Sequence, residues 1–219
     1  MTLKLYFAPG ACSFVPHTLL ETAGAPFEPV MVKIHKGENY GPEYQAINPH
    51  NQVPVLVDGT EVITQILAII SHLDERFPQC SFLPRGGMAR IRALETLAWM
   101  NNTVHPTFTH VFMPQKFVGS AQAQAEVKAF NAALYGPMLG EIEAMARSAA
   151  DANRPYLGGE HFGPLDAYSL TLLRWGGFAG HDPRIYPALW AHVQRVALLP
   201  PVARAIERER LQLNVYKGA

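Results

Sequence analysis

The period of the apolar residues changes once along this chain, and the change falls on one stretch, FPQCSFLPRGG, at residues 77–87. Before it, short β-favouring runs alternate with helical spacing; after it, only helical spacing recurs. Pro78, Pro84, Gly86 and Gly87 suit neither period. Residues 79–87 therefore read as a linker between an α/β domain, 1–78, and an all-helical domain, 88–219. With 48% of its 219 residues hydrophobic, the chain can fill the cores of two modest domains.

The first half opens on a strand-like run, Leu3–Ala8, that stops at Pro9-Gly10. Val15, Leu19, Leu20 and Ala23 then recur at helical spacing, with Ser13 as a cap and Pro16 in the tolerated first turn. A second strand over Phe27–Ile34 carries Pro29, which cannot donate to a ladder and so belongs at a sheet edge. After a helical turn around Pro42–Ile47 come a third strand, Val53–Val57, the hairpin signal Asp58-Gly59, and an antiparallel fourth strand, Glu61–Ile63. Ile66, Ile69, Ile70 and Leu73 then mark a helix running to Phe77. The order is βαβ followed by ββα. In the second half, Ile91 to Val104 predicts one long helix kinked at Pro106, and Ala121–Ala149 another, bent or interrupted near Gly136-Pro137. Further helices are predicted at Leu165–Trp175, Pro187–Leu198 and Pro201–Arg210.

Lys and Arg total 18, as do Asp and Glu, so no net charge attracts nucleic acid or an anionic membrane surface, and neither is expected as a partner. The charged fraction, 16%, lies below the roughly 25% usual for soluble domains, which points to an apolar cleft or a subunit interface. The two cysteines, Cys12 and Cys80, fit neither a disulfide framework nor a thiolate zinc site and point to a reducing compartment. His105 and His110 do not share a helix face well and Pro106 intervenes, so no metal site is expected. The opening MTLKLYFAPG lacks a basic region followed by a long apolar run, and no stretch approaches about 18 apolar residues, so a soluble cytoplasmic protein is expected.

Three motifs occur in order: YFAPGACSF at 6–14, INPHNQVPVL at 47–56 and FGPLDAYSLTLLRW at 162–175. Together with the element order they resemble the cytosolic glutathione transferases, and the Cys12-Ser13 pair resembles the bacterial beta class. The resemblance implies a thioredoxin-like N-terminal domain joined to an all-α C-terminal domain, a homodimer, and glutathione as co-substrate with a small-molecule electrophile and no metal. It also implies a cis Val53-Pro54 bond, with the Val53 backbone turned outward to pair with an extended peptide.

Glutathione must ionise its thiol before attacking an electrophile, so a donor near the sulfur is required. Ser13, Cys12 and Tyr6 are the candidates; Cys12 could instead form a mixed disulfide and give thiol transfer. As plain structure, Cys12 is a small buried residue, Ser13 a helix cap and Tyr6 a core aromatic. The beta class carries a histidine on the first helix of the second domain that reaches the thiol region, and His105 lies nearest that position. Phe108, Phe112 and Tyr168 line the electrophile site in this reading or serve as helix-core aromatics. Asp166 matches the family's buried, structural aspartate.

The stretch EVITQILAII, 61–70, places a helix start at Gln65 and Ile66, where free N–H groups and the dipole suit an anion. The family usually has an acid and a serine there, the acid for glutathione's ammonium and the serine for its carboxylate. Gln65 brings no charge and Ile66 cannot donate, while Asn51 and Gly163 depart from the usual Gly and Ser/Thr. Two readings follow. One is a glutathione transferase; the other is a protein of that fold that uses no glutathione and acts as a binding module or on another small ligand.

Overall fold

The computed structural model describes residues 3–218. Its elements in chain order are β1 (Leu3–Phe7), α1 (Phe14–Ala23), β2 (Phe27–Met31), α2 (Pro42–Gln45), β3 (Val55–Asp58), β4 (Glu61–Thr64), α3 (Ile66–Arg76), α4 (Gly87–Trp99), α5 (His105–Phe112), α6 (Ala121–Asp151), α7 (Pro164–Phe178), α8 (Pro187–Ala197) and α9 (Pro200–Glu209), with short 3-10 turns between some of them. Contacts divide the chain into two compact units. One comprises the residues up to Leu83 together with Ala197–Leu211; the other comprises Pro84–Val196 and the chain from Gln212.

In the first unit a four-stranded sheet has the order β2-β1-β3-β4, with β1 parallel to β2 and antiparallel to β3, and β3 antiparallel to β4. This is the thioredoxin-like arrangement. Alternation assigns the faces: Leu3, Leu5 and Phe7 are buried on one, whereas Tyr6 points to the other and joins Val55, Val32 and Tyr44 in a smaller cluster. The third strand starts at Val55 rather than Val53, because Pro54 has no N–H for the ladder. β2 stops at Met31, short of the expected Ile34, and Pro29 sits on the edge strand as expected.

Helix α9 is assigned by sequence to the helical half, yet it belongs to the first unit and packs on α1. Arg204 and Arg208 on α9 both reach the Glu21 carboxylate on α1, at 2.7 and 2.6 Å, and Val202 and Ala205 are buried. No local pattern in the sequence reports which body a terminal helix joins.

The second unit is all α. α4 and α5 are continuous through a π-helical turn, Met100–Val104, in which His105 N–H bonds to the carbonyl of Met100. The expected kink at Pro106 thus takes the form of a widened turn just upstream: a proline ring crowds the carbonyl four residues back, and the wider turn carries that carbonyl away. Helix α6, expected to break near Gly136-Pro137, runs unbroken through Pro137. Two side chains brace the helix around the proline: His181 donates to Ala132 O at 2.8 Å and the Tyr186 hydroxyl to Gly136 O at 3.1 Å. Gly136 is required at this point, because a Cβ would lie 2.7 Å from the His181 ring. Among the described residues no helix is long and apolar enough to cross a membrane.

Candidate functional site

The loop from β1 to α1 carries the first group of candidates. Ala11 N–H bonds to Ala8 O and Phe14 N–H to Ala11 O, which winds residues 8–14 into the helix start. Ser13 is wholly buried, and its hydroxyl accepts from Ala8 N–H at 3.1 Å and donates to Ala8 O at 3.2 Å. A hydroxyl has one proton, so Ser13 spends it on the loop. The capping role expected of this side chain is not seen: it makes no cap bond to the helix.

Cys12 is buried beside it, and its thiol donates to Val53 O at 3.6 Å. Burial pushes the thiol up to about 12, against the pull of the Cys12 and Ser13 N–H groups and with a further push from the Glu209 charge. The thiol therefore stays protonated at neutral pH, which makes Cys12 an S–H donor rather than a ready nucleophile.

The Val53-Pro54 bond is cis. The segment before it is pinned from the preceding loop: Tyr44 Oη donates to Gln52 O at 2.7 Å, Asn48 Nδ2 to the same oxygen at 2.8 Å, and Asn39 Nδ2 to Asn51 O at 2.9 Å. Asn51, which replaces the family's usual Gly, adopts φ 58°, the left-handed region that asparagine tolerates better than other side chains. Among the described residues the Val53 N–H makes no hydrogen bond, while its carbonyl holds the Cys12 thiol. Tyr6 is half-buried and packs edge-on against Tyr44 at 5.9 Å, which is the geometry of a core aromatic.

At the start of α3, Gln65 is exposed and holds φ 68°, ψ 123°, a backbone conformation that costs on the order of 1–3 kcal/mol for a residue with a side chain. Its amide makes no cap bond, and the N–H groups of Ile66, Leu67 and Ala68 have no backbone acceptor. Ile66 itself is 4% exposed. Its side chain belongs to the core, so this position offers a ligand its N–H alone.

Sequence reasoning missed Glu209. Its Oε2 accepts from Gly10 N–H at 2.8 Å, and its Oε1 lies 2.6 Å from His17 Nδ1. Arg208 donates to His17 Nε2 at 3.2 Å, so the ring proton sits on Nδ1 and donates to Glu209. A helix from the far end of the chain thereby anchors the Cys12 loop. The available signal was His17 itself, a polar residue within an otherwise apolar helix that demands a buried partner.

The second unit holds the remaining candidates. His105 Nδ1 lies 2.8 Å from the hydroxyl of Tyr168, and its ring meets Trp175 edge-on at 4.8 Å. Burial lowers the His105 pKa to about 4. The imidazole is therefore neutral at physiological pH and available as a proton acceptor. Between pH 4 and its ordinary value near 6.5 the unfolded chain binds this proton and the folded one does not, so the stability contribution present above pH 6.5 is lost as pH falls towards 4. It amounts to on the order of 3 kcal/mol. Denaturant titrations across that window should show the loss, and a His105→Gln variant should show a shallower slope.

Phe108 is buried, stacked on Trp175 at 4.6 Å and on Phe112 at 5.6 Å, whereas Phe112 is 54% exposed. Tyr168 is fully buried apart from its hydrogen-bonding role. Of the three aromatics, only Phe112 presents a large open apolar surface. His110 Nδ1 bonds to Pro106 O at 2.6 Å and its ring stacks on Phe117. Asp166 is wholly buried and accepts from Leu157 N–H at 2.8 Å and Gly163 N–H at 2.9 Å. His192 Nε2 approaches it to 2.9 Å, off the line of a hydrogen bond. Among the described residues no three His, Cys, Asp or Glu side chains group to hold a metal.

A family model for the glutathione S-transferase N-terminal domain matches residues 1–75. Glutathione S-transferase GstA of Escherichia coli O157:H7 is 30% identical over 218 residues, 96% of this chain and 100% of that protein. Among solved structures, a sphingomonad glutathione S-transferase complexed with glutathione is 30% identical with a TM-score of 0.78, covering 95% of this chain and 100% of its own. The bacterial beta-class enzyme of Sphingomonas chungbukensis is 29% identical with a TM-score of 0.79, again over 95% and 100% of the two chains.

Proposed function

The chain belongs to the glutathione S-transferase family, and we propose that it joins glutathione to a small apolar electrophile by direct attack of the thiolate. The observation that carries this reading is the meeting of three elements at one place: the Cys12 thiol, the Cys12 and Ser13 N–H groups just ahead of α1, and the Val53 backbone 3.6 Å from that thiol. The main chain of glutathione's cysteine pairs with the unpartnered Val53 N–H, and the γ-glutamyl α-carboxylate, which neighbours the ammonium, takes the N–H groups at the start of α3. Its sulfur then lies at the helix start beside Cys12, whose S–H turns from Val53 O to the thiolate. His105 accepts the thiol proton, a role that rests on the resemblance to the beta class. The sulfur lone pair forms the new S–C bond, and the leaving group departs with the electron pair of the bond that breaks.

Direct attack is favoured over thiol transfer because Cys12 is held protonated. Conjugation of glutathione to 1-chloro-2,4-dinitrobenzene tests the reading. Turnover should saturate with glutathione, Cys12→Ala should lower kcat/KM by about tenfold without abolishing it, and intact mass should show no adduct after exposure to oxidised glutathione. A rate equal to that in buffer, or complete loss on Cys12→Ala with a native mixed disulfide, would contradict it.

Gln65 and Ile66 favour a second reading, a ligand other than glutathione that carries no ammonium group. Failure of glutathione to bind, with an intact fold, would select it.

We also assign a homodimer in a reducing, cytoplasmic setting. Met88 and Ile91 on α4 and Phe130 and Leu134 on α6 leave large apolar side chains exposed, and both cysteines are free thiols. Light scattering should return twice the 24.2 kDa chain mass.

A further inference from the structure

Tyr168 and Asn101 lie on either side of a proton whose position follows from hydrogen-bond accounting. Asn101 Nδ2 donates to Asn102 Oδ1 at 2.8 Å, which turns Asn101 Oδ1 towards the Tyr168 hydroxyl, 3.2 Å away. A phenol has one proton, and here it goes to Asn101. The Tyr168 oxygen can then meet His105 Nδ1, 2.8 Å away, only as an acceptor. Nδ1 therefore carries the proton of the neutral ring and Nε2 keeps its lone pair. The π-helical turn Met100–Val104 holds Asn101 about one turn before His105, so that one hydroxyl from α7 reaches both.

We propose that Tyr168, backed by Asn101, is a positioning residue that fixes His105 as the Nδ1–H tautomer and so leaves Nε2 as the ring's proton acceptor. The role rests on the reading of His105 as the group that takes the thiol proton. Burial of the ring acts in the same direction, since a neutral imidazole retains that lone pair over the working pH range.

The tautomer can be read without activity. In protein with ¹⁵N-labelled histidine, the His105 signals are identified among the nine histidines by their loss in His105→Gln. The native spectrum should show protonated Nδ1 and unprotonated Nε2. Tyr168→Phe keeps the ring and removes the oxygen; the tautomers should mix and kcat for conjugation of 1-chloro-2,4-dinitrobenzene should fall about tenfold, with KM for glutathione unchanged. Asn101→Leu frees the phenol proton to donate to Nδ1 and should invert the tautomer, whereas Asn101→Asp keeps an acceptor and should retain it. An Nε2–H native ring, or a Tyr168→Phe enzyme with native kcat, would overturn the proposal. Full activity in His105→Gln would instead overturn the role given to His105, while the native tautomer would still report whether Tyr168 and Asn101 set the proton.

Discussion

Gln65→Glu is expected to tighten glutathione binding about tenfold, measured by titration calorimetry at low ionic strength. Gln65 is exposed at the start of α3 and already holds the unusual φ of 68° that aims this position, so the substitution adds a charge without asking the backbone to move. A neutral hydrogen bond to an ammonium becomes a charge-assisted one, a gain of about 1.4 kcal/mol, or one decade in Kd. Because the site is open to solvent, the gain should shrink as salt is raised. Ile66→Ser is a poorer probe. Ile66 is 4% exposed, so truncating it opens a cavity at a cost of about 2–5 kcal/mol and confuses affinity with stability. An unchanged or weaker affinity in Gln65→Glu would mean that the ammonium does not lie at this helix start.

Asp166→Ala should destabilise the protein by about 3–5 kcal/mol, seen as a fall of roughly 10 °C in the thermal midpoint. The carboxylate is wholly buried and accepts from Leu157 N–H at 2.8 Å and Gly163 N–H at 2.9 Å. Alanine leaves both donors without acceptors, the Gly163 N–H fully buried and that of Leu157 partly so. Its second oxygen reaches back to the N–H of Gly163, the helix cap, so α7 loses its start as well as its anchor to the preceding loop. Since α7 carries Tyr168 and Trp175 to His105, glutathione turnover should fall in the same variant even below its melting temperature. A shift of a degree or two would show that water or His192 replaces the lost acceptor.

Much of the fold is legible in sequence because local rules decide it. Asp58-Gly59 makes the β3–β4 hairpin, with Gly59 at φ 64°, and Pro29 marks β2 as an edge strand. The rules fail where a distant partner decides. Pro137 reads as a break in α6, yet the helix runs through it, braced by His181 and Tyr186 on the carbonyls of Ala132 and Gly136. Helix α9 looks like any amphipathic terminal helix, and only Glu21, His17 and Gly10 on the first unit reveal where it docks.

The candidate site divides in the same way. Motifs single out Cys12, Ser13 and Val53, and the fold brings the Cys12 thiol to Val53 O, but residue type cannot say how a proton is spent. Ser13 looks like a helix cap and instead closes its own loop onto Ala8. Cys12 looks reactive and is held as a thiol by burial. Ile66 looks like a missing ligand contact and is a core residue whose N–H remains. Each outcome depends on burial and on neighbours far away in sequence, which spacing does not encode.

The central proposal is that the main chain of a tripeptide pairs with Val53 although Gln65 brings no charge. Amide spectra recorded during a glutathione titration test it most directly. The Val53 resonance should shift and saturate together with those of Ile66, Leu67 and Ala68, in both native protein and Gln65→Glu. Saturating shifts confined to other amides, or none at millimolar glutathione in a folded sample, would contradict it.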